Sequence, residues 1–142
     1  MNVVAKHITD LGIDPNLKAG KAEIVDRIAE VRLRGGKIYH FFSFASKYCS
    51  RHNPTEYPLY DKNVEACLWY YRKQDSFDKF RRWGFDYPEF KRRVNAFRDF
   101  YGLTSFTFKQ IDKFLFTEGR KLIAEKRRLR AAKKDTAAST QR

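Results

Sequence analysis

The sequence predicts an all-α protein, a single compact domain of about six to seven helices around one core. Apolar residues recur at spacings of three and four along most of the chain. Gly and Pro residues separate these stretches, and no stretch sustains the alternation that is typical of a strand. The chain has 142 residues, of which 42% are hydrophobic and 16% aromatic. That is enough for one core without disulfides or structural metals.

The N-terminal region predicts two helices. The first covers about Val3 to Leu11. Asp14-Pro15 then has the form of an N-cap followed by a proline in the first turn. The second helix covers about Leu17 to Leu33, and Gly35-Gly36 ends it where the chain must turn.

A third helix, from Lys37 to about Arg51, has an apolar side and a side of small polar residues. The polar side consists of Ser43, Ser46, Lys47 and Ser50. Small residues around one lysine let another group approach the backbone closely. That group is either a substrate or a neighbouring helix, and both interpretations stay open.

The chain then breaks at Asn53-Pro54, because proline disfavours the helical conformation in the residue before it. Pro58 keeps the following loop extended. Asp61 has the position of an N-cap, ahead of a helix that reaches about Tyr71. The basic and aromatic stretch from Arg72 to Gly84 predicts a short helix with loops.

Two further helices are predicted towards the C-terminus. Pro88 opens one that Gly102 ends, and Thr107 with Gln110 has the form of a capping box for the next. That last helix runs to about Arg130. We expect residues 1–132 to form the domain and 133–142 to form a flexible polar tail.

The charge predicts an anionic partner. Lys and Arg number 30 and Asp and Glu 17, which gives a net charge of +13. A field of this size favours nucleic acid, DNA more than RNA. The alternative is a protein-interaction module of a mobile-element or phage-related system, in which the charge serves a protein partner.

The sequence pattern also argues against several other classes of protein. No apolar run is long enough for a membrane span, so no membrane association is expected. Cys49 and Cys67 have no metal-ligand spacing and read as small buried hydrophobes. We therefore expect no metal and no cofactor. Since there is no secretion signal, we expect a cytoplasmic protein.

Lys47 and Asp61 are the candidate catalytic residues. A lysine amine is a nucleophile when neighbouring cations or burial suppress its charge, and the anomeric carbon of a deoxyribose is a suitable electrophile. A carboxylate can stabilise the positive charge that develops on the sugar. The plainer alternatives are a phosphate contact for Lys47 and capping alone for Asp61.

The remaining candidates would contact the ligand. The residues expected to bind substrate are Ser43, Ser46, His52, Asn53, Tyr57 and Tyr60. The residues expected to bind the nucleic-acid backbone are Arg92, Arg93, Arg120, Lys121, Arg127 and Arg128. The alternatives are a helix C-cap at His52-Asn53, core positions for the aromatic residues and a solvated terminal helix.

The segment Ser46-Lys47…Tyr57-Pro58-Leu59-Tyr60-Asp61-Lys62-Asn63-Val64 resembles the catalytic segment of helix-hairpin-helix DNA glycosylases, the endonuclease III and 8-oxoguanine glycosylase superfamily. The resemblance implies a glycosylase-like helical fold and a role in DNA repair by base excision. It implies that Lys47 is the nucleophile, Asp61 the catalytic aspartate and Val64 the residue that packs its helix. The superfamily's Gly-x-Gly hairpin is missing before Lys47, so a non-catalytic nucleic-acid-binding module is the alternative.

The longer pattern Ser-Phe-Ala-Ser-Lys…His-Asn-Pro…Tyr-Pro-Leu-Tyr-Asp resembles a group of small uncharacterised bacterial proteins. They share this core and a helix of the type Ile-Asp-Lys-Phe-Leu, here Ile111 to Leu115. The resemblance covers about Gly36 to Lys121 and implies membership of a small family.

Overall fold

Seven helices and one short hairpin make up residues 3–140, the part of the chain that the computed structural model describes. In chain order they are α1 (Val3–Leu11), α2 (Asp14–Lys18), α3 (Glu23–Ala29), β1 (Glu30–Arg32), β2 (Ile38–His40), α4 (Phe42–His52), α5 (Lys62–Asp75), α6 (Tyr87–Phe100) and α7 (Phe108–Thr140). The predicted helical class is confirmed.

The antiparallel hairpin of β1 and β2 was not predicted. Glu30 pairs with His40 and Arg32 with Ile38, in a stretch that the sequence predicted as the end of one helix and the start of the next. Gly35 and Gly36 have φ angles of +88° and +84°, so they form the hairpin turn instead of ending a helix. The helical spacing of apolar residues in α3 continues into β1, so the sequence pattern did not indicate that the helix ends and a strand begins.

Three other boundaries differ from the prediction. Gly20, with a φ of +72°, separates α2 from α3, so the expected long second helix is two short ones. Asp14 is the first residue of α2 and makes no capping hydrogen bond, so the predicted N-cap is wrong. The expected short helix after Arg72 is wrong as well, because α5 continues to Asp75 and a loop follows.

The helix starts after residue 60 are correctly predicted. The Asp61 carboxylate accepts a hydrogen bond from the backbone N–H of Asn63 at 2.7 Å and so caps α5. Before α7, the Thr107 N–H donates to the Gln110 side chain at 2.9 Å, and the Gln110 N–H donates to Thr107 Oγ1 at 3.2 Å. The predicted capping box is therefore present.

The last helix is longer than predicted, since α7 continues past Arg130 to Thr140. Its residues from 124 onward are all exposed. The flexibility of a tail at 133–142 stays a prediction. Residues 1, 2, 141 and 142 lie outside the described part, so the predicted start of the domain at residue 1 and the predicted end of the tail at residue 142 lie outside it too.

The core is rich in aromatic residues and fixes the loop between α4 and α5. Tyr57 and Tyr87 are fully buried. The Tyr57 hydroxyl donates to the Lys21 carbonyl at 3.0 Å, and the Tyr87 hydroxyl donates to the Pro58 carbonyl at 2.6 Å. The loop is thereby held against α6 and the N-terminal helices.

Two further contacts bring α4 and α5 against this loop and α7. Ser46 Oγ accepts a hydrogen bond from the Tyr60 N–H at 2.9 Å, which joins α4 to the end of the loop. Gly119 faces the backbone of Asn63 so closely that a Cβ atom at this position would lie 1.7 Å from the Asn63 oxygen. The first turn of α5 therefore packs directly on α7.

Candidate functional site

A basic stripe runs along one face of α7. Its members recur every three or four residues, so they lie on one side of the helix. They are Lys109, Lys113, Phe116, Arg120, Ile123, Arg127 and Arg130. From the first to the last, the stripe extends about 32 Å, at about 1.5 Å per helical residue.

Three adjoining grooves flank this stripe, and together we call them the basic track. The Asp112 groove, of about 610 Å³, lies between α4, the loop after it and the first turns of α7. The middle groove, of about 250 Å³, shares Phe116 with it. The Trp83 groove, of about 350 Å³, shares Lys62 and Arg127 with the middle groove.

The walls of the basic track carry a large excess of positive charge. Two carboxylates line it, those of Glu65 and Asp112. The cationic side chains that line it are Lys47, Arg51, Lys62, Lys73, Arg82, Lys109, Lys113, Arg120, Lys126, Arg127 and Arg130. Among the described residues, Arg82 alone of these cations forms an ion pair, with Glu65 at 2.7 Å. The other cations are exposed and available to a polyanion.

Asp112 is the unusual member of its groove. It is 6% exposed, on the inward side of α7. Its Oδ2 accepts the Leu59 N–H at 2.8 Å, whereas its Oδ1 is buried and has no hydrogen-bond partner among the described residues. Burial raises the pKa of this carboxyl to about 7, although the Leu59 hydrogen bond lowers it in part. The groove thus contains a carboxyl group that exchanges a proton near neutrality.

Lys47 lies at the Asp112 groove, as do Ser50 and Arg51 of the same helix. The lysine is exposed and has no ion pair among the described residues. Ser46 serves the packing of α4 instead, because its buried hydroxyl donates to the carbonyls of Ser43 and Tyr60 and accepts from the Tyr60 N–H. Ser43 contributes its backbone carbonyl to this contact. The interpretation of the serine side as a close approach between elements therefore fits Ser46.

The Asp61 side chain lies at the start of α5 and has a structural role there. Its carboxylate caps α5, and no ion pair or hydrogen bond joins it to Lys47 in the described structure. The carboxylate that lines a groove with Lys47 is that of Asp112. The sequence could have indicated this residue, because Asp112 falls among the inward apolar positions 108, 111 and 115 of α7. Burying a carboxylate costs free energy, so a carboxylate on an apolar stripe needs an explanation, whereas a solvated carboxylate does not.

The other residues predicted to bind substrate have structural contacts. Asn53 Nδ2 donates to the Leu17 carbonyl at 3.0 Å, and the ring of the exposed His52 lies 4.4 Å from that of Tyr48. Tyr57 is in the core, where its ring has no exposed face. The half-buried Tyr60 ring packs on Phe42, with 4.7 Å between centroids.

The six residues predicted to contact the nucleic-acid backbone divide into those that are paired within the fold and those that are not. Arg92 binds Asp78 and Glu89, whereas the buried Arg93 binds Glu89 and donates to the carbonyls of Arg81 and Arg82. These two arginines hold the loop before α6, outside the basic track.

The four residues of α7 that were predicted to contact the nucleic-acid backbone also divide into paired and unpaired cations. Lys121 pairs with Glu118 and Arg128 pairs with Glu125, each three residues away on the helix. Arg120 and Arg127 lie on the basic stripe and have no such partner among the described residues.

The side chains of residues 3–140 that could hold a metal ion are those of His, Cys, Asp and Glu. No group of three or more His, Cys, Asp or Glu side chains within that range is arranged to hold a metal ion. Cys49 and Cys67 are both buried and free, and burial raises the pKa of each thiol to about 12. Helices that combine the length and the apolar character of a membrane span are absent from this range.

Comparisons with known proteins give two likenesses. Residues 1–56 match the family model HI_0787_N, described as an N-terminal domain. The chain is also similar to an uncharacterised protein of Haemophilus influenzae, with 39% identity over 124 residues. That match covers 86% of this chain and 58% of the relative, so the chain spans less than two thirds of the relative's length. No solved structure matches. The likenesses support the predicted small family of uncharacterised proteins, and neither concerns a DNA glycosylase.

Proposed function

We propose that the protein binds nucleic acid, DNA before RNA, along the basic track. The observation that carries this proposal is the line of exposed cations without ion pairs that follows one face of α7 and continues onto α4 and α5. Solvated surfaces usually intersperse acids with bases. Here the two acids are buried, and one of them is paired with Arg82.

The dimensions of the track suit a polynucleotide. A strand places one phosphate about every 3.4 Å, so the length of about 32 Å faces roughly nine nucleotides. Arg and Lys contacts to phosphates supply affinity without reading sequence. The apolar side chains Phe116 and Ile123 between the cations offer contact to sugars or bases.

The experiment compares two pairs of cations on the same helix. The Arg120→Ala/Arg127→Ala variant removes two stripe cations that have no ion pair. The Lys121→Ala/Arg128→Ala variant removes two cations that already have acidic partners, with the same change in net charge. We expect the first to weaken binding of a labelled oligonucleotide by roughly ten- to a hundredfold at about 0.1 M salt. The second should change it by less than about threefold.

Equal losses in the two variants would show a diffuse charge effect and contradict the track. An absence of binding by the wild type to DNA and RNA alike, at low salt, would reject nucleic-acid binding altogether. Tight binding to a purified protein partner would then favour the interaction module.

A second function follows from the groove that Lys47 and Asp112 share: lysine chemistry on the sugar of a flipped nucleotide. Lys47 Nζ, as the free amine, would attack C1′, and the base would leave with the bonding electrons and take up the first amine proton. The nitrogen lone pair then forms the C1′=N bond as the C1′–O4′ bond breaks, and O4′ takes up a proton from solvent, which gives the protonated Schiff base. The Asp112 carboxyl, which exchanges its proton near neutrality, would serve the proton transfers, whereas Asp61, predicted to stabilise the positive charge on the sugar, caps α5.

Borohydride trapping tests this function, because it reduces the Schiff base to a stable covalent adduct. The wild type is incubated with labelled DNA that carries abasic, uracil, oxidised or alkylated sites, and then reduced. Lys109→Ala and Lys113→Ala are matched controls, since these lysines line the same groove. An adduct that only Lys47→Ala abolishes is expected. DNA binding without an adduct would leave a non-catalytic binding protein.

A further inference from the structure

The loop between α5 and α6 carries an exposed aromatic ring at the edge of the basic track. Trp83 is 63% exposed, the largest value among the exposed large hydrophobic residues described. It lines the Trp83 groove together with Trp69 and Tyr70 of α5. An indole so exposed contributes little to the core, so its position needs another explanation.

A fixed guanidinium supports this ring from one side. The Arg82 guanidinium carbon lies 4.5 Å from the centroid of the Trp83 ring and 5.7 Å from that of Trp69. Glu65 holds Arg82 through two hydrogen bonds, at 2.7 and 3.1 Å, and is itself only 6% exposed. Because Arg82 covers one face of the indole, the solvent-exposed area of the ring includes its other face.

The rest of the groove is cationic. Lys62, Lys73, Lys126, Arg127 and Arg130 surround the aromatic residues, and none of them has an ion pair among the described residues. Trp83 also borders a second groove that carries Asp26, Glu30 and Asp86, so its cationic surroundings are on the side of the basic track. An exposed aromatic ring at the edge of a groove lined with unpaired cations is an arrangement that binds unpaired nucleobases, by stacking, while the cations contact the phosphates. In a duplex the base faces are already stacked and are closed to such contact.

We propose that the Trp83 groove binds unpaired nucleobases, so that the preferred ligand of the basic track is single-stranded nucleic acid. This inference rests on the proposed nucleic-acid binding and adds the form of the strand. The bases stack on the free face of Trp83, and Arg127, which the Trp83 and middle grooves share, meets the phosphates next to them.

The experiment measures the affinities of the wild type, Trp83→Ala and Trp83→Phe for a labelled single strand of about 12 nucleotides and for a blunt-ended duplex of the same length, which has no unpaired bases. We expect the wild type to prefer the single strand. Trp83→Ala should weaken single-strand binding roughly 5- to 100-fold, since each stacked base contributes on that scale. Duplex binding should change by less than about twofold, and Trp83→Phe should retain most of the affinity because a phenyl ring still stacks.

Phe106→Ala is the control, because Phe106 is 45% exposed but lies outside the basic track. Circular dichroism verifies that each variant is folded. Single-strand affinity that Trp83→Ala leaves unchanged, or a wild-type preference for the duplex, would overturn the inference while leaving nucleic-acid binding in place. A wild type that binds neither ligand would instead reject the proposed function.

Discussion

At the scale of single residues, burial decides which charged groups have unusual properties. Asp112 lies among apolar residues of α7 and has one oxygen without a partner. Asp61, on the loop before α5, has its carboxylate satisfied by a cap. In the sequence only Asp61 was predicted to be a functional group, and Asp112 was not singled out. Burial raises the pKa of the Asp112 carboxyl to about 7.

The free energy of unfolding should therefore depend on pH through Asp112. Its pKa is about 7 in the folded protein and close to 3.8 in the unfolded chain. Between these values the folded state binds the proton more tightly, so this contribution to stability is complete below about pH 4 and is lost as the pH rises through 7. The loss is at most about 4 kcal/mol.

Urea unfolding of the wild type and Asp112→Asn at pH 5 and pH 8 measures this effect. The Asn variant should lose most of the pH dependence, because its amide does not titrate, and should be the more stable protein at pH 8. A smaller slope of the same sign should remain, since burial also raises the pKa of Asp26. The exposed control Asp99→Asn should behave as the wild type. An unchanged slope in Asp112→Asn would contradict the assignment.

At the scale of elements, the contact between α5 and α7 sets the geometry of the basic track. Gly119 lets the first turn of α5 lie against α7, which brings Lys62 beside Arg120 and Arg127. Glycine is otherwise unfavourable in the middle of a helix by about 1 kcal/mol relative to alanine. The close approach explains why it is tolerated at this position.

Gly119→Ala should consequently destabilise the protein, against the direction of helix propensity. The new Cβ would lie 1.7 Å from the Asn63 oxygen and 2.5 Å from its carbonyl carbon, both of which are backbone atoms. The two helices must therefore separate, at a cost of about 1–3 kcal/mol. Thermal or urea unfolding measures it. Thr117→Ala, at an exposed position of α7, is the propensity control and should be neutral or slightly stabilising. Stability equal to the wild type in Gly119→Ala would mean that the helices do not pack as described.

At the scale of the whole molecule, the charged residues that give the net charge of +13 are unevenly distributed. Part of the positive charge is used inside the fold, as at Arg93, or is paired on the helix surface, as at Arg128. The remainder that lines the basic track is free to displace counterions from a polyanion.

Binding should accordingly weaken steeply with salt. If about six of the track cations contact phosphates, the plot of log K against log salt for a single strand should have a slope of about −4. The Arg120→Ala/Arg127→Ala variant should reduce its magnitude by about 1.4, because two contacts are lost. Fluorescence anisotropy titrations between about 50 and 300 mM salt measure the slopes. A slope near zero would indicate a partner recognised without phosphate contacts.

The sequence by itself determined the helical class, the starts of α5, α6 and α7 and the positive net charge of the protein. The net charge is a sum over the composition and needs no structure. The other properties depend on local chemistry, because the Asp61 cap, the Thr107–Gln110 capping box and the apolar spacing each act within one or two turns of the chain. The hairpin at Gly35-Gly36 was missed although its signal was local, because the apolar spacing of α3 continued into it.

Only the tertiary structure decided which distant residues share a surface. It put Lys47 in one groove with Asp112 rather than with Asp61, and it joined the stripe of α7 to Lys62 and the Trp83 loop. The reason is that packing determines these neighbours. The contact of Gly119 with Asn63 and the hydrogen bond of Ser46 with Tyr60 connect residues far apart in the chain. The sequence pattern does not indicate that these residues are close in space.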